Sequence, residues 1–245
     1  MINYSKLITN PKIKGPVVEA YKTLRTNIQF LSVEKQLKVM LITSANASEG
    51  KSVTASNLAI TMAQSDKRVL LIDCDLRKPS LHRAFGLLNE KGVTNVLVEG
   101  LDFHDICNTV GIPNLEVLTC GPKPPNPPEL LGSLKMEAFI KMVTNEYDIV
   151  IIDAPPVLPI TDAAVLSRLV DGIIFVIAYG QTSYESAVQA KESLEKVDAK
   201  IIGTIINNTP TRGSRAYNYY YYYYSDDDLS KRKSKRHSKK ARLSY

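Results

Sequence analysis

The sequence has few cysteines, and they are not arranged to bind metal. Cys74, Cys107 and Cys120 form an odd, scattered set, and the chain has no CxxC pair or Cys/His cluster. This excludes a zinc site built from clustered cysteines. Reduced and mostly buried thiols are the expected state.

Long apolar runs are also missing. No run approaches the roughly 18–20 residues that a membrane-spanning helix needs. The opening segment, MINYSKLITNPKIKG, lacks the apolar core of a secretory signal. We therefore expect a cytoplasmic protein.

Outside the C-terminal tail there is little net charge. Residues 226–245 hold eight Lys or Arg and three Asp, and so carry +5 of the total of +6. Affinity for polyanions or membranes is therefore expected in the tail. The remainder of the 245 residues has an ordinary globular composition and is long enough to bury a sizeable core.

The stretch from Val39 to Leu58 has the layout of a phosphate-binding P-loop. An apolar run predicts a buried strand, a small-residue loop leads to Gly50-Lys51-Ser52, and a helical segment follows. Backbone N–H groups near Gly50 can surround a polyanion, with a helix N-terminus behind them. Lys51 can reach the β- and γ-phosphates, and Ser52 Oγ suits Mg²⁺. Ala45 replaces the first glycine of the motif, so a plain strand-to-helix turn remains the alternative.

Acidic residues follow two other predicted strands. Asp73 and Asp75 lie in an Asp-x-Asp-x-Arg stretch that ends at Arg77, and Asp153 follows the run Ile149–Ile152. In an open parallel sheet, ligands bind at the carboxyl ends of the strands. Acids there would repel a triphosphate unless Mg²⁺ lay between them, and Asp153 has the Walker B arrangement. The alternative is a set of helix-capping or salt-bridging acids.

Predicted strands and helices alternate, which indicates an α/β fold with a mainly parallel sheet flanked by helices. Helices are predicted over 17–30, 79–88, 92–98, 136–144 and 183–196. Strands are predicted over 39–42, 69–72, 115–119, 149–152, 172–179 and 200–206. We divide the chain into an extended N-terminal arm (1–16), a P-loop domain (17–209) and a disordered tail (210–245).

The tail is rich in tyrosine and poor in aliphatic residues, so it cannot bury a core. It contains seven of the thirteen tyrosines within eight positions. Three interpretations are open: a sticky low-complexity tract, a nucleic-acid arm in which bases stack on tyrosine, or a bank of phosphorylation sites.

Taken together, Gly50-Lys51-Ser52, the Asp73–Arg77 stretch, Asp153 and the tyrosine cluster resemble the bacterial tyrosine kinases of capsule and exopolysaccharide operons, in their Gram-positive form. The resemblance covers about residues 15–225. It implies a P-loop NTPase of the partitioning-ATPase branch that uses ATP and Mg²⁺. The Asp-x-Asp-x-Arg stretch, which resembles the Walker A′ motif, and the tyrosine cluster are its specific parts.

The resemblance also implies a role for each site residue. The catalytic set is Lys51, Asp73, Asp75 and Asp153, with Asp73 as the candidate base. Mg²⁺ would be held by Ser52, Asp75 and Asp153. Nucleotide contacts would come from Ser48, Glu49, Gly50, Lys51, Ser52, Val53, Arg77 and Asn207, the last near adenine. Autophosphorylation would fall on Tyr217, Tyr219, Tyr220, Tyr221, Tyr222, Tyr223 and Tyr224.

The implied partners are other copies of the chain and a membrane protein. Glu19, Lys22 and Arg25, on a helix over 17–31, resemble the family's oligomerisation motif, so a homo-oligomeric ring is expected. The cytoplasmic tail of a separate transmembrane activator, the polysaccharide co-polymerase, would recruit the chain to the inner face of the membrane. Protein tyrosine substrates and a cognate tyrosine phosphatase are also implied, whereas nucleic acid is not expected.

Two departures from the family pattern stand out. Ala47-Ser48 replaces the usual Pro-Gly, which alters the loop if the glycine position needs a positive φ. Lys22 replaces an arginine and loses bidentate geometry at a carboxylate.

Two other function classes compete with a tyrosine kinase. A partitioning or division-site ATPase switch would carry a second lysine early in the P-loop, where this chain has Asn46, and would lack the tyrosine cluster. A nucleic-acid-binding protein would show salt-sensitive DNA binding that depends on the charges at 231–242. Phosphotyrosine on the purified protein separates the kinase from both.

Overall fold

The structure is a computed structural model that describes residues 6–13, 15–34 and 36–210. The chain divides into two units, Met1–Asn207 and Asn208–Tyr245, and the second is described only at residues 208–210. The tyrosines from Tyr217 to Tyr224 and the basic residues at 231–242 lie outside the described residues. The three-part division of the chain stays a prediction.

A mainly parallel sheet forms the centre of the described chain. Its seven strands there are β1 (Val39–Ser44), β2 (Val69–Asp73), β3 (Asn108–Thr109), β4 (Leu115–Leu118), β5 (Ile149–Asp153), β6 (Gly172–Ala178) and β7 (Ile201–Asn207). Their order is β3-β4-β2-β5-β1-β6-β7, and only the β3–β4 pair is antiparallel. The predicted parallel α/β class is confirmed. Strand β3 is two residues long and has no apolar pattern that would predict it.

Helices follow most of the strands. Within the described ranges they are α1 (Gly15–Glu34), α2 (Lys51–Ala63), α3 (Leu81–Phe85), α4 (Val93–Glu99), α5 (Pro127–Leu131), α6 (Leu134–Glu146), α7 (Asp162–Leu166) and α8 (Tyr184–Glu195). Single 3₁₀ turns cover Phe103–Asp105 and Ser167–Leu169. Helix α3 is shorter than the predicted 79–88 because it ends at Gly86, whose φ is 69°. No helix in the described ranges is long and apolar enough to cross a membrane.

The sheet separates two hydrophobic layers, and alternate strand residues enter opposite layers. Met40 and Ile42 of β1 belong to the layer that contains the apolar face of α2. Leu41 belongs to the other layer, which contains residues of α6 and α7. Because both faces of the central strands are covered, β1, β2 and β5 are nearly continuous apolar runs. This is why their positions could be predicted.

The three residues of the predicted oligomerisation motif have different contacts. Lys22 Nζ lies 2.7 Å from Glu19 Oε1 on the surface of α1. Arg25 Nη1 instead donates to the carbonyl oxygen of Thr61, at 3.1 Å, near the end of α2. Arg25 therefore joins two helices of the same chain. The role of the motif in an oligomer stays a prediction.

The N-terminal segment packs against α2 through one buried amide. Residues 6–13, part of the predicted arm, form consecutive turns, and Leu7 and Ile8 are buried. Asn57 Oδ1 accepts a hydrogen bond from the backbone N–H of Ile8 at 2.9 Å. Its Nδ2 donates to the carbonyl oxygen of Lys6 at 3.0 Å. Asn57 therefore satisfies two backbone groups of this segment.

We expect the substitution Asn57→Ala to lower the free energy of unfolding by about 1–3 kcal/mol, because it leaves a buried backbone N–H without its acceptor. Urea unfolding followed by circular dichroism measures this. The exposed Gln64, just past the end of α2, provides the control, and Gln64→Ala should leave the stability nearly unchanged. Equal stability of Asn57→Ala and wild type would contradict this role.

Candidate active site

Three adjacent strands and one helix bring the predicted site residues together. Strand β5 lies between β1 and β2, so their carboxyl ends share one edge of the sheet. Asp73, the last residue of β2, pairs in register with Asp153, the last residue of β5. Helix α2 begins at Lys51, directly after the loop that follows β1. Residues distant in sequence therefore meet at one point.

Lys51 lies among buried carboxylates. Its Nζ is 2.8 Å from Asp75 Oδ2 and 3.6 Å from Asp153 Oδ1, and it donates to Ser52 Oγ at 3.3 Å. Burial disfavours the charged form of the lysine, but the charges of Asp153 and Asp75 outweigh it and raise the pKa of Lys51 above its ordinary value. The ammonium therefore stays protonated at neutral pH and can face an anion.

Asp153 has a buried carboxylate whose contact with the Lys51 ammonium, at 3.6 Å, is longer than a hydrogen bond. The residue is fully buried, and neither side-chain oxygen has a hydrogen-bond partner among the described residues. Burial raises the pKa of Asp153, and the charge of Lys51 opposes the rise. Such a group is costly unless a cation or a donor reaches it. The two unpartnered oxygens therefore fit a metal ligand.

The donor set suits Mg²⁺ in particular. Asp75, Asp153 and Ser52 offer hard oxygen atoms next to a phosphate-binding loop. No group of three or more His, Cys, Asp or Glu side chains in the described ranges forms a ready metal cage. Mg²⁺ commonly binds through one or two carboxylates together with water and substrate phosphates. The two carboxylates of Asp75 and Asp153, with the hydroxyl of Ser52, fit this kind of coordination.

Asp73 is held by backbone N–H groups at the start of α3. Its Oδ2 accepts hydrogen bonds from the N–H groups of Ser80 and Leu81, both at 2.9 Å. Its Oδ1 accepts one from Asp75, at 3.2 Å. Burial and the charge of Asp153 nevertheless raise the pKa of Asp73 to about 7. Asp73 therefore fixes the loop after β2, and its carboxylate can take up a proton near neutral pH.

Arg77 is oriented by an acid that no sequence motif indicated. Arg77 Nε lies 3.0 Å from Asp162 Oδ2, and Nη2 lies 3.1 Å from Oδ1, a bidentate pair. Asp162 is fully buried, whereas the side chain of Arg77 is 40% exposed. The hydrogen bonds to Asp162 raise the pKa of Arg77. The two residues are far apart in sequence, and α7, which carries Asp162, has no predictive pattern.

The remaining predicted nucleotide contacts line the P-loop. Ser52 and Val53 are half-buried in the first turn of α2, while Ser48 is exposed. Asn207, at the end of β7, donates from Nδ2 to the carbonyl oxygen of Glu49 at 2.9 Å. Asn207 is therefore beside the loop, and its predicted contact with adenine stays a prediction.

The cysteines take no part in this chemistry. All three are free; Cys74 and Cys120 are buried and Cys107 is partly buried. Burial raises the pKa of Cys120 to about 12, and burial also raises the pKa of Cys107 to about 12. Both thiols therefore stay protonated and poorly reactive.

Ser48 has the positive φ that the family's glycine would accommodate. Its φ is 67°, in the left-handed region, and Gly50, two residues later, has a φ of 94°. For a residue with a Cβ, the left-handed conformation costs about 1–2 kcal/mol. The serine at position 48 therefore introduces strain into the P-loop.

We expect Ser48→Gly to raise the stability by about 0.5–1 kcal/mol, since relief of strain exceeds the added chain entropy of glycine in the unfolded state. The neighbouring Ala47 is exposed and does not have a positive φ, so Ala47→Gly is the matched control and should lose stability. Thermal unfolding of the three proteins checks this. A lower unfolding temperature for Ser48→Gly than for wild type would count against strain at Ser48.

The chain is similar in sequence and in structure to known proteins. The AAA domain family matches residues 37–208. The tyrosine-protein kinase YwqD of Bacillus subtilis is 46% identical over 212 residues, which cover 86% of this chain and 89% of YwqD. The kinase domain of the Escherichia coli tyrosine kinase Etk has 36% identity and a TM-score of 0.77, covering 82% of this chain and 78% of that domain.

A more distant likeness concerns the fold alone. The septum site-determining protein MinD of Pyrococcus horikoshii has 20% identity and a TM-score of 0.58, with 69% of each chain covered. It shows that the sheet is shared with P-loop ATPases outside the kinases, and it gives no support to a partitioning or division-site activity here. Because the tyrosine-protein kinase YwqD is 46% identical to this chain and is matched over 89% of its own length, the chain belongs to the bacterial tyrosine-protein kinases.

Proposed function

We propose that this chain transfers the γ-phosphoryl group of ATP to tyrosine, with its own C-terminal cluster as the first acceptor. The observation that carries the proposal is the buried Asp153 carboxylate, which accepts no hydrogen bond from any described residue and lies 3.6 Å from the P-loop Lys51. A buried acid whose oxygens accept no hydrogen bond is kept at a cost that a metal-nucleotide complex would lower.

Catalysis by these residues would consist of positioning and charge stabilisation. The loop amides and Lys51 would hold the β- and γ-phosphates. The tyrosine oxygen forms a bond to the γ-phosphorus while the bond to the bridging β–γ oxygen breaks, and ADP leaves with that electron pair. Lys51 stabilises the charge that develops on the leaving oxygen.

Asp73 would accept the proton of the tyrosine hydroxyl. Its pKa near 7 makes its carboxylate a better base than an ordinary aspartate. Oδ1 is the more available oxygen, because it accepts one hydrogen bond and Oδ2 accepts two. The same N–H groups fix the orientation of the carboxylate.

Ser52, Asp75 and Asp153 would hold Mg²⁺, which when bound supplies positive charge to the phosphates. Asp75 now pairs with Lys51 at 2.8 Å. A cation at Asp75 would leave Lys51 free to turn toward a phosphate. Arg77, held by Asp162, would contribute a second positive charge at the edge of the site.

Regulation would use the tail and other copies of the chain. We propose a homo-oligomeric ring in which each tail is phosphorylated by a neighbour, since tethering raises the local tail concentration to roughly millimolar. A transmembrane activator would recruit the cytoplasmic chain to the membrane, where it would regulate capsular or extracellular polysaccharide synthesis and export. A tyrosine phosphatase would reset the cycle. Equal turnover with and without the activator's cytoplasmic tail would count against recruitment-dependent activity.

Lys51→Met should abolish phosphotyrosine formation, because it removes the phosphate-facing charge while keeping an unbranched side chain. Phosphotyrosine on purified protein incubated with Mg²⁺-ATP is measured by mass spectrometry. Lys67 is exposed and lies after α2, so Lys67→Met is the control and should keep wild-type labelling. Persistent labelling of Lys51→Met would contradict the P-loop assignment.

Replacing Tyr217 and Tyr219–Tyr224 by phenylalanine should leave ATP binding intact and keep the ring assembled. Each phosphotyrosine adds about −1.5 to −2 charges at pH 7, next to Asp226, Asp227 and Asp228. The wild type should therefore dissociate on phosphorylation. Light-scattering mass of both proteins, with and without Mg²⁺-ATP, tests this. If the phenylalanine variant still loses mass with Mg²⁺-ATP, the tail is not the switch.

A further inference from the structure

The P-loop contains a buried acid at a point where it should receive a polyanion. Glu49 immediately precedes Gly50 and Lys51, and the residue is 1% exposed. A carboxylate aimed at the phosphate space would repel a nucleotide. The hydrogen bonds of the Glu49 side chain show which groups hold it.

The Glu49 carboxylate is held by one residue within the loop and one outside it. Oε2 accepts the backbone N–H of Asn46 at 3.0 Å. Oε1 accepts the hydroxyl of Thr182 at 2.7 Å and the side-chain amide of Asn46 at 3.4 Å. Thr182 lies in the loop between β6 and α8, so this contact joins the P-loop to the next strand of the sheet.

The hydroxyl of Thr182 has a defined direction. Its oxygen accepts the backbone N–H of Ala178, at the end of β6, at 2.8 Å. The backbone N–H of Thr182 donates to the carbonyl oxygen of Ala178 at 3.0 Å. The hydroxyl proton is therefore left to point at Glu49. A hydrogen bond to a charged acceptor in a buried setting is stronger than one between neutral groups.

The backbone of the loop at Glu49 and Gly50 is also restricted, by the side chain of Asn207. Asn207 Nδ2 binds the Glu49 carbonyl oxygen at 2.9 Å, and a Cβ added at Gly50 would lie 1.9 Å from that nitrogen. Ser48 is kept in its left-handed conformation directly before Glu49. A strained residue persists only when its surroundings determine its conformation. Asn46, which the Glu49 carboxylate binds, precedes Ser48, and the Glu49 carbonyl, which Asn207 binds, follows it. The contacts of Glu49 therefore hold the loop on both sides of the strained residue.

We infer that Thr182 is a positioning residue for nucleotide binding and that it acts through Glu49. Its hydroxyl keeps the Glu49 carboxylate turned away from the phosphate space and fixes the loop from Asn46 to Gly50 in its phosphate-binding shape. The inference rests on the proposed ATP-binding function. It adds to that function a residue on a different loop, one that no P-loop motif includes.

The test compares Thr182→Val, which removes the hydroxyl and nearly keeps the shape, with Thr182→Ser, which keeps the hydroxyl. Thr204→Val is the control, because Thr204 is an exposed threonine on β7 outside these contacts. The readouts are the Kd of a fluorescent ADP analogue with Mg²⁺, and hydrogen exchange of residues 45–50 in the nucleotide-free protein.

Thr182→Val should weaken ADP binding about tenfold, which is the scale of one hydrogen bond to a charged group. It should also speed exchange in residues 45–50. Thr182→Ser and Thr204→Val should behave like wild type in both readouts. In a Glu49→Ala background, Thr182→Val should add less than about twofold, because a residue that acts through Glu49 has nothing left to act on.

Unchanged ADP affinity and unchanged exchange in Thr182→Val would overturn the inference, and so would a full additional loss in the Glu49→Ala background. A wild type that binds no nucleotide would contradict the proposed function instead. In that case the exchange comparison, made on the free protein, still decides whether Thr182 positions the loop.

Discussion

The structure depends on the burial of three aspartates and one lysine at the carboxyl edge of a parallel sheet. Asp73, Asp75 and Asp153 are buried together, and the Lys51 ammonium contacts Asp75 and Asp153. Breaking a buried ion pair by removing one partner costs about 3–5 kcal/mol. The surrounding fold accordingly serves to hold these groups. The order of β1, β5 and β2 sets the acids side by side, and α2 brings in the lysine.

The site residues that belong to short sequence motifs could be predicted from the sequence. Central strands buried on both faces are plain apolar runs. Asp73 and Asp153 directly follow such runs, and Asp75 lies two residues after Asp73, so their meeting follows from parallel topology. Asp162 and Thr182 could not be found this way. Their partners, Arg77 and Glu49, are far away in sequence, and no periodicity encodes a contact between two loops.

The loops around the site therefore have two kinds of residue. Lys51 and Ser52 offer their side chains to the site, whereas the Glu49 carboxylate accepts hydrogen bonds from N–H and O–H donors that fix the loops. Asp73 combines the two, because its Oδ2 accepts two backbone N–H groups while its Oδ1 accepts only one. The sheet is shared with MinD, which is only 20% identical, and a shared fold does not imply a shared activity.

The central claim is that Asp153 is a ligand for the magnesium ion of a bound nucleotide. Calorimetric titration of wild type and Asp153→Asn with ADP, in Mg²⁺ and in EDTA, tests it most directly. We expect Mg²⁺ to tighten ADP binding by wild type, because the ion would bridge carboxylate and phosphate oxygens. Asp153→Asn should lose most of that gain, while its affinity in EDTA stays close to wild type. An equal effect of Mg²⁺ on the two proteins would contradict the claim.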